Sequence, residues 1–146
     1  MDFEDVEQGI VEALRDAFPE VKTIGTYGGR FEAAGMHAGL PALQVAYRGS
    51  NYAPVDGATM RETARYTVLV ADRELRGGDE ARRGGALSET GVYGLIKDVL
   101  AALASSDLGL GIERLKPTAT TMVHTGGTLT VYAVDFEAGF DTAFEN

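Results

Sequence analysis

Residues 62–72, Glu62-Thr63-Ala64-Arg65-Tyr66-Thr67-Val68-Leu69-Val70-Ala71-Asp72, decide the fold class. Tyr66, Val68 and Val70 alternate along one face, while Leu69 and Ala71 fill the other, so the period is two. A strand that is apolar on both faces is covered on both sides, which places it in the middle of a sheet.

On the N-terminal side of this strand, Val21–Tyr27 is β-prone and is broken by Gly28-Gly29. A Gly- and Ala-rich loop runs from Arg30 to Leu40. Ala42–Tyr47 reads as a further strand behind Pro41, a residue that cannot donate to a ladder and suits a strand start or edge. Gly49–Gly57 reads as turn material. On the C-terminal side, Thr118–Thr125 and Thr128–Glu137 read as a hairpin around Gly126-Gly127, a dipeptide suited to the positive φ angles of a tight turn. Phe140 and Phe144, four apart in the tail Phe140–Asn146, are expected either to pack back on the domain or to reach a neighbouring molecule.

Two segments carry helical periodicity instead. In residues 2–18, Phe3, Val6, Ile10, Ala13, Leu14, Ala17 and Phe18 recur at the three-and-four spacing of one helical face. Glu4, Asp5 and Glu7 complement the helix dipole in the first turns, and Pro19 ends the helix. Residues 88–104 show the stripe Val92, Leu95, Ile96, Val99, Leu100 and Leu103, with Ser88 or Thr90 as N-cap. Asp107–Lys116 connects this helix to the hairpin and is ended by Pro117, outside the first hairpin strand. The order of helix, three strands, helix and hairpin predicts an α+β fold: a mainly antiparallel sheet of about five strands, two helices packed on it, and a long charged loop. A length of 146 residues suits a single domain over 1–146.

Composition narrows the function. The chain has no Cys, which removes disulfides, thiolate metal sites and a Cys nucleophile, and suits a reducing compartment. Met1-Asp2-Phe3-Glu4-Asp5 has neither the basic nor the apolar region of a signal peptide, and Val68–Ala71 and Val99–Ala104 are far short of a bilayer span. The expectation is a chain neither exported by a standard signal nor embedded in membrane. A formal net charge of −9 disfavours binding to free nucleic acid, which relies on Lys and Arg. The acidity is uneven: residues 1–20 carry seven acids and one Arg.

Templates for catalysis do not match. His37 and His124 are far apart and lack metal-ligand spacing. None of Ser50, Ser88, Ser105 and Ser106 sits in a nucleophile elbow. Gly25-Thr26-Tyr27-Gly28-Gly29-Arg30 lacks the spacing of a phosphate loop. Asp79-Glu80 gives no converging pair and no calcium loop. We therefore expect no catalytic residue, no cofactor and no metal site. What remains is the Gly-punctuated loop 73–86. It reads either as a solvated connector or as a docking element in which Arg73, Glu74, Arg76, Asp79, Glu80, Arg82 and Arg83 meet a partner. Its arginines form forked bonds to carboxylates, and the acidic first helix of another copy carries carboxylates.

Three stretches taken in order carry a resemblance: Thr23–Glu32, Leu40–Ser50 and Tyr66–Gly77. Together with the Arg-bearing loop Arg73–Gly85, the helix Gly91–Leu103, Leu108–Ile112 and Leu115-Lys116-Pro117, they resemble a family of Mu-like phage and prophage tail-completion proteins. The resemblance implies a structural virion protein assembled in the bacterial host cytoplasm. Its implied role is tail terminator: a ring of six copies that caps the tail tube and forms the tail side of the head–tail junction. The implied partners are other copies of the chain, the tail tube and sheath proteins, and the neck or head-completion protein, with DNA passing through the ring unbound. A head-completion connector of the neck stays open as an alternative. So does a small hydrolase, which would require His37 or His124 to meet a carboxylate in a pocket.

Overall fold

The computed structural model describes residues 2–27, 39–73, 91–126 and 129–143. The elements follow in the order α1 (Phe3–Ala17), β1 (Thr23–Thr26), β2 (Ala42–Pro54), β3 (Thr59–Arg73), α2 (Gly91–Leu103), β4 (Lys116–Gly126) and β5 (Leu129–Ala143). The strands form one sheet in the order β1-β2-β3-β5-β4. β3 is central, as its two-sided apolar pattern requires. It pairs antiparallel with β5 from Thr59↔Ala143 to Arg73↔Leu129 without a register shift. β2 and β4 flank this pair antiparallel, and β1 joins β2 in parallel at one edge. A parallel neighbour needs a connection of a dozen or more residues, which residues 27–41 supply.

Both helices pack on one face of the sheet. The alternate residues Leu43, Val45, Tyr66, Val68, Val134 and Phe136 meet Val6, Ile10 and Leu14 of α1 and Val92, Leu95 and Val99 of α2 in one core. Each large side chain so buried gains about 1.5–3 kcal/mol before the entropy of ordering. Asp2 caps α1: its carboxylate accepts from the N–H groups of Glu4 and Asp5, and Asp5 accepts in return from the Asp2 N–H. The Tyr66 hydroxyl donates to the Phe3 carbonyl at 2.8 Å, and the Tyr47 ring stacks on Phe3 at 4.3 Å. Burial pushes the Tyr66 phenol far above its ordinary value, so it stays protonated as that donor. Gly9 lets the connector after α2 close on α1, since a Cβ there would stand 3.1 Å from Leu110.

The opposite face is divided. Ala42, Leu69, Ala71, Leu129, Val131 and Ala133 form a second buried cluster at one end, with Tyr27 and Leu40 against it. Towards the other end the inward alternation turns polar, through Thr67 and Asp135 to Arg65, Glu137 and Arg61.

Four expectations require correction. The segment Gly49–Gly57, read as a turn, is strand as far as Pro54, and the bend lies at 55–58. Pairing with residues 60–65 of β3 satisfies backbone groups that composition alone assigns to a loop. β5 runs to Ala143 instead of ending at Glu137, so Phe140 lies within it and packs back on the domain, 3% exposed, while Phe144 lies outside the described residues. Val21–Tyr27 contributes only the four-residue β1. Pro117 sits inside β4, at the sheet edge where its missing N–H costs no ladder bond. The candidate N-caps Ser88 and Thr90 lie outside the described residues.

The layering predicts a sharp contrast between two substitutions. Phe136→Ala, in the core that both helices enter, should cost about 3–5 kcal/mol in urea unfolding, while Val123→Ala on the exposed β4 should stay within about 0.5 kcal/mol. Equal losses would contradict the layering.

Candidate functional site

Of the docking residues expected from sequence, Arg73 ends β3, where it is exposed and its N–H donates to the Asp72 carboxylate at 2.8 Å. Burial of Asp72 raises its carboxyl above the ordinary range, against the lowering by Arg73. Glu74, Arg76, Asp79, Glu80, Arg82 and Arg83 lie outside the described residues, as does His37. His124 is exposed on the edge strand β4. Among the described residues, no cluster of three His, Asp or Glu converges in a way that could hold a metal ion. No helix among them is long and apolar enough to cross a membrane.

Two polar constellations do stand out. The first surrounds Glu62, which is 1% exposed on the helix-bearing face. Its carboxylate accepts from Ser50 Oγ at 2.5 Å, from Thr142 Oγ1 at 2.8 Å and, more distantly, from the Tyr52 hydroxyl at 3.4 Å, and Tyr47 bonds Ser50 at 2.6 Å. Three hydroxyls from β2 and β5 therefore occupy the lone pairs of a carboxylate on β3. A buried acid satisfied in this way closes the end of the core.

The second lies on the polar half of the opposite face. Arg48, Arg65, Thr67, Thr118 and Asp135 line a recess of about 250 Å³, together with Tyr66 and Phe136. Two β-bulges build it. Tyr47 pairs Tyr66 and Gly49 pairs Arg65, so Arg48 is an extra residue opposite Arg65 and shares its face. Pro117 pairs Phe136 and Ala119 pairs Asp135, so Thr118 is likewise turned onto the face of Asp135. Gly49 has φ +114°, a value that excludes most side chains and fixes the first bulge at this position.

The charges in the recess are unevenly satisfied. Thr67 Oγ1 donates to Asp135 at 2.6 Å. Nearby, Arg61 is held between Glu113 and Asp141, the latter at 3.3 Å. Arg48 and Arg65 enter neither of these ion pairs, although Glu137 stands opposite Arg65 in register. Among the described residues these two guanidinium groups have no carboxylate within ion-pair distance, in a chain with a net charge of −9, so the recess offers two forked donors to an anionic group.

The other end of the charge distribution lies on the helix side. Asp5, Glu12 and Asp16 line a groove along α1 that is walled by Leu108 and Leu110. Glu7, further round the helix, has its carboxyl raised chiefly by burial, and a Tyr47 backbone hydrogen bond opposes that shift.

Sequence reading missed Arg48 and Arg65. The available signal was Gly49 inside a β-prone run, which marks a bulge as readily as a turn.

The described residues thus form an α+β sheet layered by two helices on one side, with an acidic groove along α1 and an arginine-lined recess on the opposite face. Over residues 3–141 the chain matches the family described as Bacteriophage Mu, Gp37, and it belongs to that family of phage proteins. A comparison with curated protein sequences finds no significant match.

If Arg48 and Arg65 serve recognition rather than folding, Arg48→Gln and Arg65→Gln should each leave stability within about 0.5 kcal/mol. A thermal melt reads this directly, and a loss of several degrees would make the recess structural.

Proposed function

We propose that this chain is a structural virion protein that terminates the phage tail: a closed ring, six copies in number, that caps the tail tube and forms the tail side of the head–tail junction. The observation that carries this reading is membership of the Bacteriophage Mu, Gp37 family over nearly the whole chain. The six-fold number comes from the resemblance to tail-completion proteins. Supporting it, acidic and arginine-bearing surfaces lie on opposite sides of the sheet layer. Such an arrangement suits head-to-tail association, in which one patch of each copy meets a different patch of the next. In this reading the other partners are the tube end, the sheath and the neck protein, and the role requires no covalent chemistry. The net charge of −9 would keep DNA passing through the ring from adhering to its wall.

Deleting the gene from the phage or prophage that carries it tests the role. Electron microscopy should then show tails of uncontrolled length that fail to join heads. Tails of normal length beside unjoined heads would assign the chain to the neck connector, and finished virions would remove the virion role.

A further inference from the structure

We propose that the Arg48–Arg65 recess of one copy receives carboxylates from α1 of the next, Glu12 and Asp16 foremost, so that copies associate through opposite faces of the sheet layer. The inference deepens the ring reading above and relies on it only for the number of subunits.

The first argument concerns supply and demand of charge. Arg48 is exposed, Arg65 is half-buried, and neither joins the ion pairs that hold Arg61. On α1, Glu12 and Asp16 are exposed, and residues 1–20 hold seven acids against one Arg. That single base, Arg15, is already engaged, since its guanidinium donates to the Ile24 carbonyl at 3.0 Å. The arginines and the acids thus complement each other in sign.

The second argument is geometric. α1 packs on the face of the sheet that bears Val45, Tyr66 and Val68, whereas the bulge at Arg48 turns that side chain to the face of Arg65. No chain can bring its own α1 to its own recess, so the contact is intermolecular. Each copy would offer one recess and one acidic stripe, and the same contact then repeats from copy to copy. The spacings agree as well. Glu12 and Asp16 are one turn apart, about 6 Å along the helix axis. Arg48 and Arg65 stand on neighbouring strands about 5 Å apart.

The third argument selects a carboxylate over a nucleic-acid phosphate. Asp135 lines the recess, Glu137 pairs Arg65 across the strands, and Asp141 lies further along the same face. A continuous polyanion would run against these acids, whereas two side chains from a helix reach the arginines alone. A guanidinium fork accepts a single carboxylate through two parallel hydrogen bonds.

The test uses the full-length chain, with association followed by sedimentation velocity over a concentration series at low salt. Wild type should associate, and added salt should dissociate it as the Debye length falls below about 10 Å. Arg48→Glu with Arg65→Glu should abolish association, and so should Glu12→Arg with Asp16→Arg, each with an unchanged thermal melt. The milder pair Arg48→Gln and Arg65→Gln, which introduces no repulsion, should weaken association at least tenfold. An equimolar mixture of the two charge-reversed variants should associate again, because each recess then faces a helix of opposite sign and the two kinds of subunit alternate. The proposal is overturned if wild type stays monomeric throughout, if either reversed variant associates like wild type, or if the mixture stays monomeric. Retention of duplex DNA by wild type, lost in Arg48→Glu with Arg65→Glu, would overturn it in favour of a nucleic-acid site. None of these outcomes bears on tail length in the deleted phage, so the interface and the terminator role fail separately.

Discussion

The uninterrupted pairing of β3 with β5 is the constraint on which the other elements depend. Fifteen residues of each strand face one another in a single register, and both strands are buried on both faces near Val68 and Val134. Because side chains alternate with a period of two, a one-residue slip of β3 would send Tyr66 and Val68 away from the helices and bring Thr67 beneath them, and the same slip of β5 would exchange Val134 and Phe136 for Asp135. The resulting loss of apolar burial, together with a buried unpaired carboxylate, would exceed the few kcal/mol by which domains of this size are stable. The register is therefore fixed, and with it the surface each face presents.

From that register the two sides acquire different tasks. The helix side is closed by aliphatic packing and, at its far end, by the hydroxyls around Glu62. The opposite side departs from regular pairing at Arg48 on β2 and at Thr118 on β4, which has a second irregularity at Val123. The Arg48 and Thr118 bulges each add a side chain to the same recess. A bulge twists its strand and interrupts the ladder, so two that converge on one place are better understood as shaping a surface than as accidents of pairing. Among the described residues the arginines lack the carboxylate contacts that hold neighbouring Arg61, and this asymmetry is the observation on which the proposed contact between copies rests.

Much of this was legible in the residues. The alternation in 62–72 placed the central strand, and the stripes beginning at Val6 and Val92 placed both helices, because periodicity reports burial directly. The ends of the strands were not legible: Gly49, Asn51 and Pro54 carry the composition of a turn, and only pairing with residues 60–65 makes them strand. The two alternatives for Phe140 could not be separated for the same reason, since its burial depends on partners distant in sequence. The recess was invisible for a further reason. It needs Arg48, Arg65 and Thr118 from three strands, and a bulge changes which face a residue occupies without changing the sequence pattern around it. The charged loop drew attention because its arginines cluster in sequence, and its residues beyond Arg73 lie outside those described.

Native-state hydrogen exchange tests the central claim that the β3–β5 ladder organises the molecule. Amides opened only by global unfolding exchange slowest, and those released by local opening exchange earlier. Tyr66–Val70 and Val131–Phe136 are expected to exchange at the rate set by global unfolding. The hairpin end at 51–58 and the exposed β4 should exchange sooner. Exchange of the central β3 and β5 amides as fast as those of the hairpin end would contradict that claim.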